Sequence, residues 1–409
     1  MELGIEAIAV LLLITALVAM LARRLKIPYT VGLVLAGTAF ALLPFTPGIE
    51  LTRELILTIL LPPLIFEATL LIRWRELLFN LPIVLVFATA GVLLSAALTA
   101  SGMHFWAGWD WQSAALLGIL IAATDPVSVI ATFKGAGVHG RLRLLVEAES
   151  LFNDATVAVG FGVALSYFAG GHVDGYGVLG LTAWAILGGL LSGALTAAVL
   201  FFLTRSTSDH LIELALSAVT AYGSFLLAEH FGASGVLATL TAGILVGNFG
   251  IPLSFSDKGR VSLVDFWEFA AFISNSLIFF LIGLRQARQD YTGALLPISV
   301  AILMGTLGRA AAIYPLSSLF RNSRLKIEPN HQHILFWGGM RGALALALAL
   351  SLPPALANRE GIVTVAFAVV AFSIIVQGMT LTPVLRWLKE LPRHAPRAAE
   401  APAEPDSNP

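Results

Sequence analysis

The sequence predicts an all-α polytopic membrane protein of about 13 transmembrane helices, and three observations carry that prediction. Hydrophobic residues make up 57% of the 409 residues and charged residues only 12%, about half the charged share of a soluble domain. Apolar runs of about 17 to 25 residues, the length a helix needs to cross a bilayer, recur along the chain. Lys and Arg cluster in every second connection, as their preference for the inner face of a membrane demands. The chain has no cysteine, which removes disulfides, thiolate metal sites and cysteine nucleophiles. A formal net charge of −1 points to no partner class, and neither nucleic acid nor a cofactor is expected.

In order, the predicted spans are Gly4–Leu21, Tyr29–Leu43, Leu55–Ile72, Leu81–Ser101, Ala114–Phe133, Leu144–Phe168, Val178–Leu203, Leu211–Ala228, Gly235–Phe249, Val264–Leu284, Ala294–Leu319, Ile334–Leu352 and Gly361–Leu385. The first is read as a retained helix, because Glu2 and Glu6 stand where a cleaved signal has its cationic start. With the N-terminus outside, the inner connections hold Arg23, Arg24 and Lys26; Arg73 and Arg75; Lys134, Arg141 and Arg143; Arg205; Lys258 and Arg260; Arg321, Arg324 and Lys326; then Arg386, Lys389, Arg393 and Arg397. The outer connections hold only Arg53, Arg285, Arg288 and Arg359. The transmembrane unit therefore covers residues 1–390, with a short cytoplasmic tail over 391–409 whose Pro, Ala and Glu content predicts disorder. The expected location is the cell (inner) membrane, multi-pass.

Few charges remain inside the spans. A charge at mid-membrane costs about 2.5 kcal/mol or more and reads by default as functional. Glu67 follows the double proline Pro62-Pro63 in the third span. Asp125 sits in Ala123-Thr124-Asp125-Pro126 in the fifth, where Pro126 has no N–H and clashes with the preceding turn. A break there frees backbone groups, which a membrane tolerates only beside a cavity or a polar partner; a simple kink capped by Thr124 is the alternative. The sixth span holds Glu149-Ser150-Leu151-Phe152-Asn153-Asp154. On a helix Ser150 and Asp154 share one face and Glu149 and Asn153 another, so the two acids serve different partners. The twelfth span opens Trp337-Gly338-Gly339-Met340-Arg341-Gly342. Three glycines around an arginine predict a second break, with Arg341 compensating its carbonyl ends. Arg309, mid-span in the eleventh, needs a buried carboxylate, and Glu149 is the candidate. Glu147, Glu213, Asp265 and Glu268, near helix ends, are read as interfacial or snorkelling charges. The histidines, His104, His139, His172, His210, His230, His331, His333 and His394, all fall in or near loops.

This ordered set resembles the monovalent cation:proton antiporters, the family of bacterial NhaP proteins and animal Na+/H+ exchangers. The resemblance rests on Pro62-Pro63-Leu64-Ile65-Phe66-Glu67-Ala68, Ala123-Thr124-Asp125-Pro126-Val127, Glu149-Ser150-Leu151-Phe152-Asn153-Asp154 and Gly339-Met340-Arg341-Gly342-Ala343. It implies inverted six-helix repeats, crossed discontinuous spans 5 and 12, and a homodimer. It places Na+ at Asp154, Ser150, Glu67 and the backbone carbonyl of Thr124, with Asp125 close by. It pairs Glu149 with Arg309; Asn153, Arg341 and Pro126 are read from the residues as further supports. Asn153-Asp154 stands where electrogenic relatives carry two aspartates, which looks like the electroneutral branch.

The function expected is exchange of Na+ (or Li+) for H+ by alternating access, serving pH homeostasis, with no enzymatic activity. A K+/H+ antiporter of the same family and a cation channel are the alternatives; paired aspartates of an intramembrane enzyme are a third reading, for which neither span offers a hydrolase motif. Desolvation disfavours a bare carboxylate, so Asp154 takes either a cation or a proton before it crosses the barrier.

Overall fold

The computed structural model describes residues 5–25, 27–42, 51–168 and 175–390. The tail 391–409 with Arg393, Arg397 and His394, together with Glu2, Lys26 and His172, lies outside the described residues. Within them the chain is helical and forms no strand. The helices are α1 Ile5–Leu25, α2 Tyr29–Ala41, α3 Leu55–Leu70, α4 Trp74–Ala107, α5 Trp111–Leu120, α6 Val127–Ala136, α7 Arg141–Phe168, α8 Gly175–Thr204, α9 His210–His230, α10 Gly235–Ser254, α11 Asp257–Gln286, α12 Leu295–Leu319, α13 Pro329–Trp337, α14 Ala343–Leu350 and α15 Arg359–Trp387. Among the described residues, 8 are long and apolar enough to cross a membrane, with shorter apolar helices beside them.

Two of the predicted spans are not continuous helices. The fifth splits into α5 and α6, with a non-helical stretch over residues 121–126, and the twelfth into α13 and α14, with a break over 338–342. Both breaks fall where proline or glycine removes a donor or a side chain. The double proline in the third span behaves differently. A π turn over Leu55–Leu60 precedes it, and Pro62 and Pro63 occupy the first turn of the following α-helical stretch, so the helix runs on to Glu67.

The order α4, broken α5/α6, α7 recurs as α12, broken α13/α14, α15, and these helices pack together as one set. The other set joins α2 and α3 to α11, and α10 to α8, α9 and α3. Close approach depends on small residues, the usual device where lipid offers no hydrophobic drive between helices. At the crossing of α2 and α11, a Cβ on Gly37 would strike the Phe280 carbonyl, and one on Gly283 the Val34 carbonyl. The space left between the two sets holds the candidate site.

Candidate cation site

A cavity of about 860 Å3 separates the two helix sets. One wall is formed by Thr124, Asp125 and Pro126 of the first break, Leu151 and Asp154 of α7, and Gly342, Ala343 and Leu344 after the second break. The facing wall carries Glu67 of α3, Tyr29 of α2, and Phe272 and Asn275 of α11. Glu67, Asp125 and Asp154 are each partly exposed to this space. Arg143, Glu147, Glu268 and Arg386 stand along it as well, and Arg143 Nε approaches Glu147 Oε2 at 3.8 Å.

The two breaks cross and are joined through their backbones. The Asp125 N–H donates to the Met340 carbonyl at 2.7 Å. The Asp125 carboxylate turns back to accept from the Val127 N–H at 3.2 Å, covering the first exposed donors of α6. Gly342 lets the second break approach this closely, since a Cβ there would stand 2.8 Å from Asp125 Cγ. Thr124 joins the first break to α7: its hydroxyl donates to Ser150 Oγ at 3.2 Å, and its backbone N–H is directed at the Asp154 carboxylate. Ser150 is 2% exposed and lies behind the wall rather than on it. The resemblance assigns the Thr124 carbonyl to the cation, whereas the group Thr124 turns toward Asp154 is its N–H.

The opposite face of α7 is buried. Glu149, 1% exposed, meets Arg309 with two parallel bonds, Nη1 to Oε1 at 2.6 Å and Nη2 to Oε2 at 2.9 Å. Arg309 Nη2 also donates to the Leu335 carbonyl at 3.0 Å, and Asn153 Nδ2 to Glu149 Oε1 at 3.3 Å. Paired and hydrogen-bonded in this way, two charges are tolerated in a dry interior.

Arg341 departs from expectation. Its guanidinium does not close the carbonyl ends of its own break: Nη2 donates to the Gly305 carbonyl of α12 at 3.3 Å, and its backbone N–H to Ser373 Oγ of α15 at 2.6 Å. The Met340 carbonyl is already taken by Asp125, because each crossed break is the other's backbone partner. Glu213 is also no snorkelling charge. It is fully buried and accepts from the Ser256 N–H and hydroxyl, both at 2.9 Å, at the start of α11. Glu147 and Glu268 belong to the cavity lining, while Asp265 is exposed. His333 lies within α13 and bonds Tyr314 Oη through Nδ1 at 2.8 Å.

Tyr29 and Asn275 escaped a sequence search built on charge. Their only signals are a tyrosine directly after Pro28 and an amide between Ser274 and Ser276, just before an apolar stretch of α11.

Fold, crossed breaks and cavity together define a secondary transporter of the membrane. The chain belongs to the sodium/hydrogen exchanger family: the family's transmembrane model matches residues 9–387. It is a multi-pass membrane protein and not an enzyme, and its family works with transported ions alone. The low-affinity Na+/H+ antiporter NhaS1 of Synechocystis sp. is 37% identical over 369 residues, 89% of this chain and 70% of that protein. The Na+/H+ antiporter NhaH of Halobacillus aidingensis is 33% identical over 395 residues, 93% of this chain and 97% of that protein. Among solved structures, the sodium proton antiporter MjNhaP1 of Methanocaldococcus jannaschii superposes with a TM-score of 0.74 at 18% identity, covering 95% of this chain and 98% of that one. That likeness is one of fold.

Proposed function

We propose that this chain exchanges Na+ (or Li+) for H+ across the membrane by alternating access, with cation and proton competing for Asp154. The observation that carries the reading is the cavity in which Asp154, Asp125 and Glu67 converge from three elements at the crossing of two broken helices. Carboxylate, hydroxyl and carbonyl oxygens with water suit a small hard cation. In this reading Asp154, Glu67 and the first break at Thr124-Asp125 bind the ion, and Ser150 holds Thr124 in place. Broken helices bring dipole ends and freed backbone groups to mid-membrane, the arrangement by which transporters bind ions.

The exchange is taken as electroneutral because Asn153 lies against Glu149, away from the cavity, and adds no titrating charge beside Asp154. Thirteen crossings, with the N-terminus outside and the C-terminus cytoplasmic in the inner membrane, complete the proposal. In that orientation Arg143, Glu147 and Arg386 mark the cytoplasmic mouth, and the conformation faces inward. The homodimer implied by the resemblance is tested by cross-linking in membranes.

Purified protein in proteoliposomes provides the functional test, with internal pH read while Na+, Li+ or K+ is added outside. Saturable proton movement with Na+ or Li+ is expected. K+ as the preferred ion would move the protein to the alternative K+/H+ reading. An exchange rate that follows an imposed voltage at fixed gradients would remove electroneutrality, and cation flux without counter-moving protons would turn the reading to a channel.

A further inference from the structure

The wall of the cavity facing Asp125 holds a polar pair that the exchange reading does not use. Asn275 is 2% exposed on α11, followed by the apolar stretch from Leu277 to Leu284. An unpaired amide in such surroundings is costly, and its Nδ2 donates to the hydroxyl of Tyr29 on α2. The Tyr29 ring is fixed by stacking on Phe272, with centroids 6.1 Å apart and planes at 30°. Its hydroxyl lies within electrostatic range of both Asp125 and Glu67.

A phenol has one proton and two lone pairs. Asn275 occupies one lone pair, so one proton and one lone pair are left for the cavity. We propose that Tyr29, oriented by Asn275, supplies a neutral oxygen to the incoming cation, directly or through one water, and so sets the affinity and ion preference of exchange. The proton goes to a neighbouring carboxylate as a charge-assisted bond, which leaves the lone pair for the cation. α2 and α11 belong to the same helix set, so the pair spans no moving boundary. Its loss therefore changes binding rather than the rate of the conformational step.

This inference rests on the proposed cation/proton exchange, and the experiment separates the two. Full-length protein in proteoliposomes is titrated with Na+ and with Li+, and the detergent-purified protein is melted across the same Na+ range. Tyr29→Phe, which keeps the stacked ring, is expected to raise the half-saturating Na+ concentration about tenfold, the size of one lost bond to a charged group. The maximal rate stays within about twofold by the same argument that only binding is touched. The ratio of Na+ to Li+ half-saturation shifts as well. Asn275→Leu has the same effect, and the double variant is no worse than either single one, as for residues acting as a unit. Unchanged Na+ dependence in Tyr29→Phe, a loss confined to maximal rate, or additive effects would each overturn the assignment. If Asn275→Leu fails to fold, the Na+-dependent rise in melting temperature of Tyr29→Phe decides: a curve matching wild type overturns it and a right-shifted curve supports it. Wild-type protein without any exchange would instead sink the transport reading, and the same melting titration would still judge Tyr29.

Discussion

The two faces of α7 place carboxylates five residues apart in opposite environments. Asp154 opens onto a cavity beside the backbone of Thr124, whereas Glu149 is enclosed, bound twice by one guanidinium and once by an amide. The first arrangement leaves acceptor capacity unfilled and a path to water, so ligands can exchange. The second fills that capacity with protein donors and excludes water, so nothing exchanges. A charged residue in a membrane helix thus tells little until its partners are counted, and counting separates an open carboxylate from a rivet.

The largest expected effect is on the open face. Asp154→Asn should abolish cation/proton exchange in proteoliposomes while the purified protein melts at the wild-type temperature; retained exchange would show that the open face is not the carrier. On the closed face the effect should be on stability. Arg309→Ala leaves Glu149 buried without its cation and should cost about 3–5 kcal/mol, read as a lower melting temperature in detergent. Glu149→Gln should cost less, because the amide keeps an acceptor for Arg309, which also retains the Leu335 carbonyl. Equal, mild losses would mean that the pair does not act as a rivet.

Gly342→Ala tests the boundary between the faces. Its methyl group would press on the Asp125 side chain, and overpacking of this kind costs about 1–3 kcal/mol. Exchange should slow several-fold, and a wild-type rate would show that the crossing yields. The smallest effect is expected at Asp110, an exposed carboxylate that caps α5 and serves as a reference away from both faces. Burial raises its pKa, but hydrogen bonds from Ser113 and neighbouring N–H groups outweigh this and hold it below its usual value. A cap with a depressed pKa stabilises fully above the unfolded value and is lost as pH falls through the folded one. Asp110→Ala should therefore cost about 1 kcal/mol or less at neutral pH. The difference from wild type should narrow as pH falls below the ordinary carboxylate value and vanish only once it has passed below the lowered folded one, where both states bind the proton; a constant difference would assign the loss to something other than the charged cap.

Much of this organisation was legible in the residues. Length and apolarity locate the helices, since hydrocarbon tolerates little else. Pro126 and the glycines at 338, 339 and 342 locate the breaks, and the five-residue spacing of Glu149 and Asp154 separates their faces. The crossing of the two breaks came from the family resemblance, but the bond that joins them was not legible, because Asp125 and Met340 meet through main-chain atoms and leave no side-chain signature. Arg341 was misread for that reason. Tyr29 and Asn275 were missed because a phenol or an amide in an apolar helix is affordable when bonded, and pairing between α2 and α11 depends on tertiary packing. Glu213 looked interfacial by position, yet the start of α11 folds over it.

The bond between the Asp125 N–H and the Met340 carbonyl joins two main-chain atoms. No substitution at either position deletes it except proline at 125, which would remove the donor. The crossing is thus written into the path of the backbone, and side chains bear on it through the room they leave, as at Gly342. On the proposed reading, substitutions at Glu67, Tyr29 or Asn275 would retune which ion is carried and leave this main-chain joint in place.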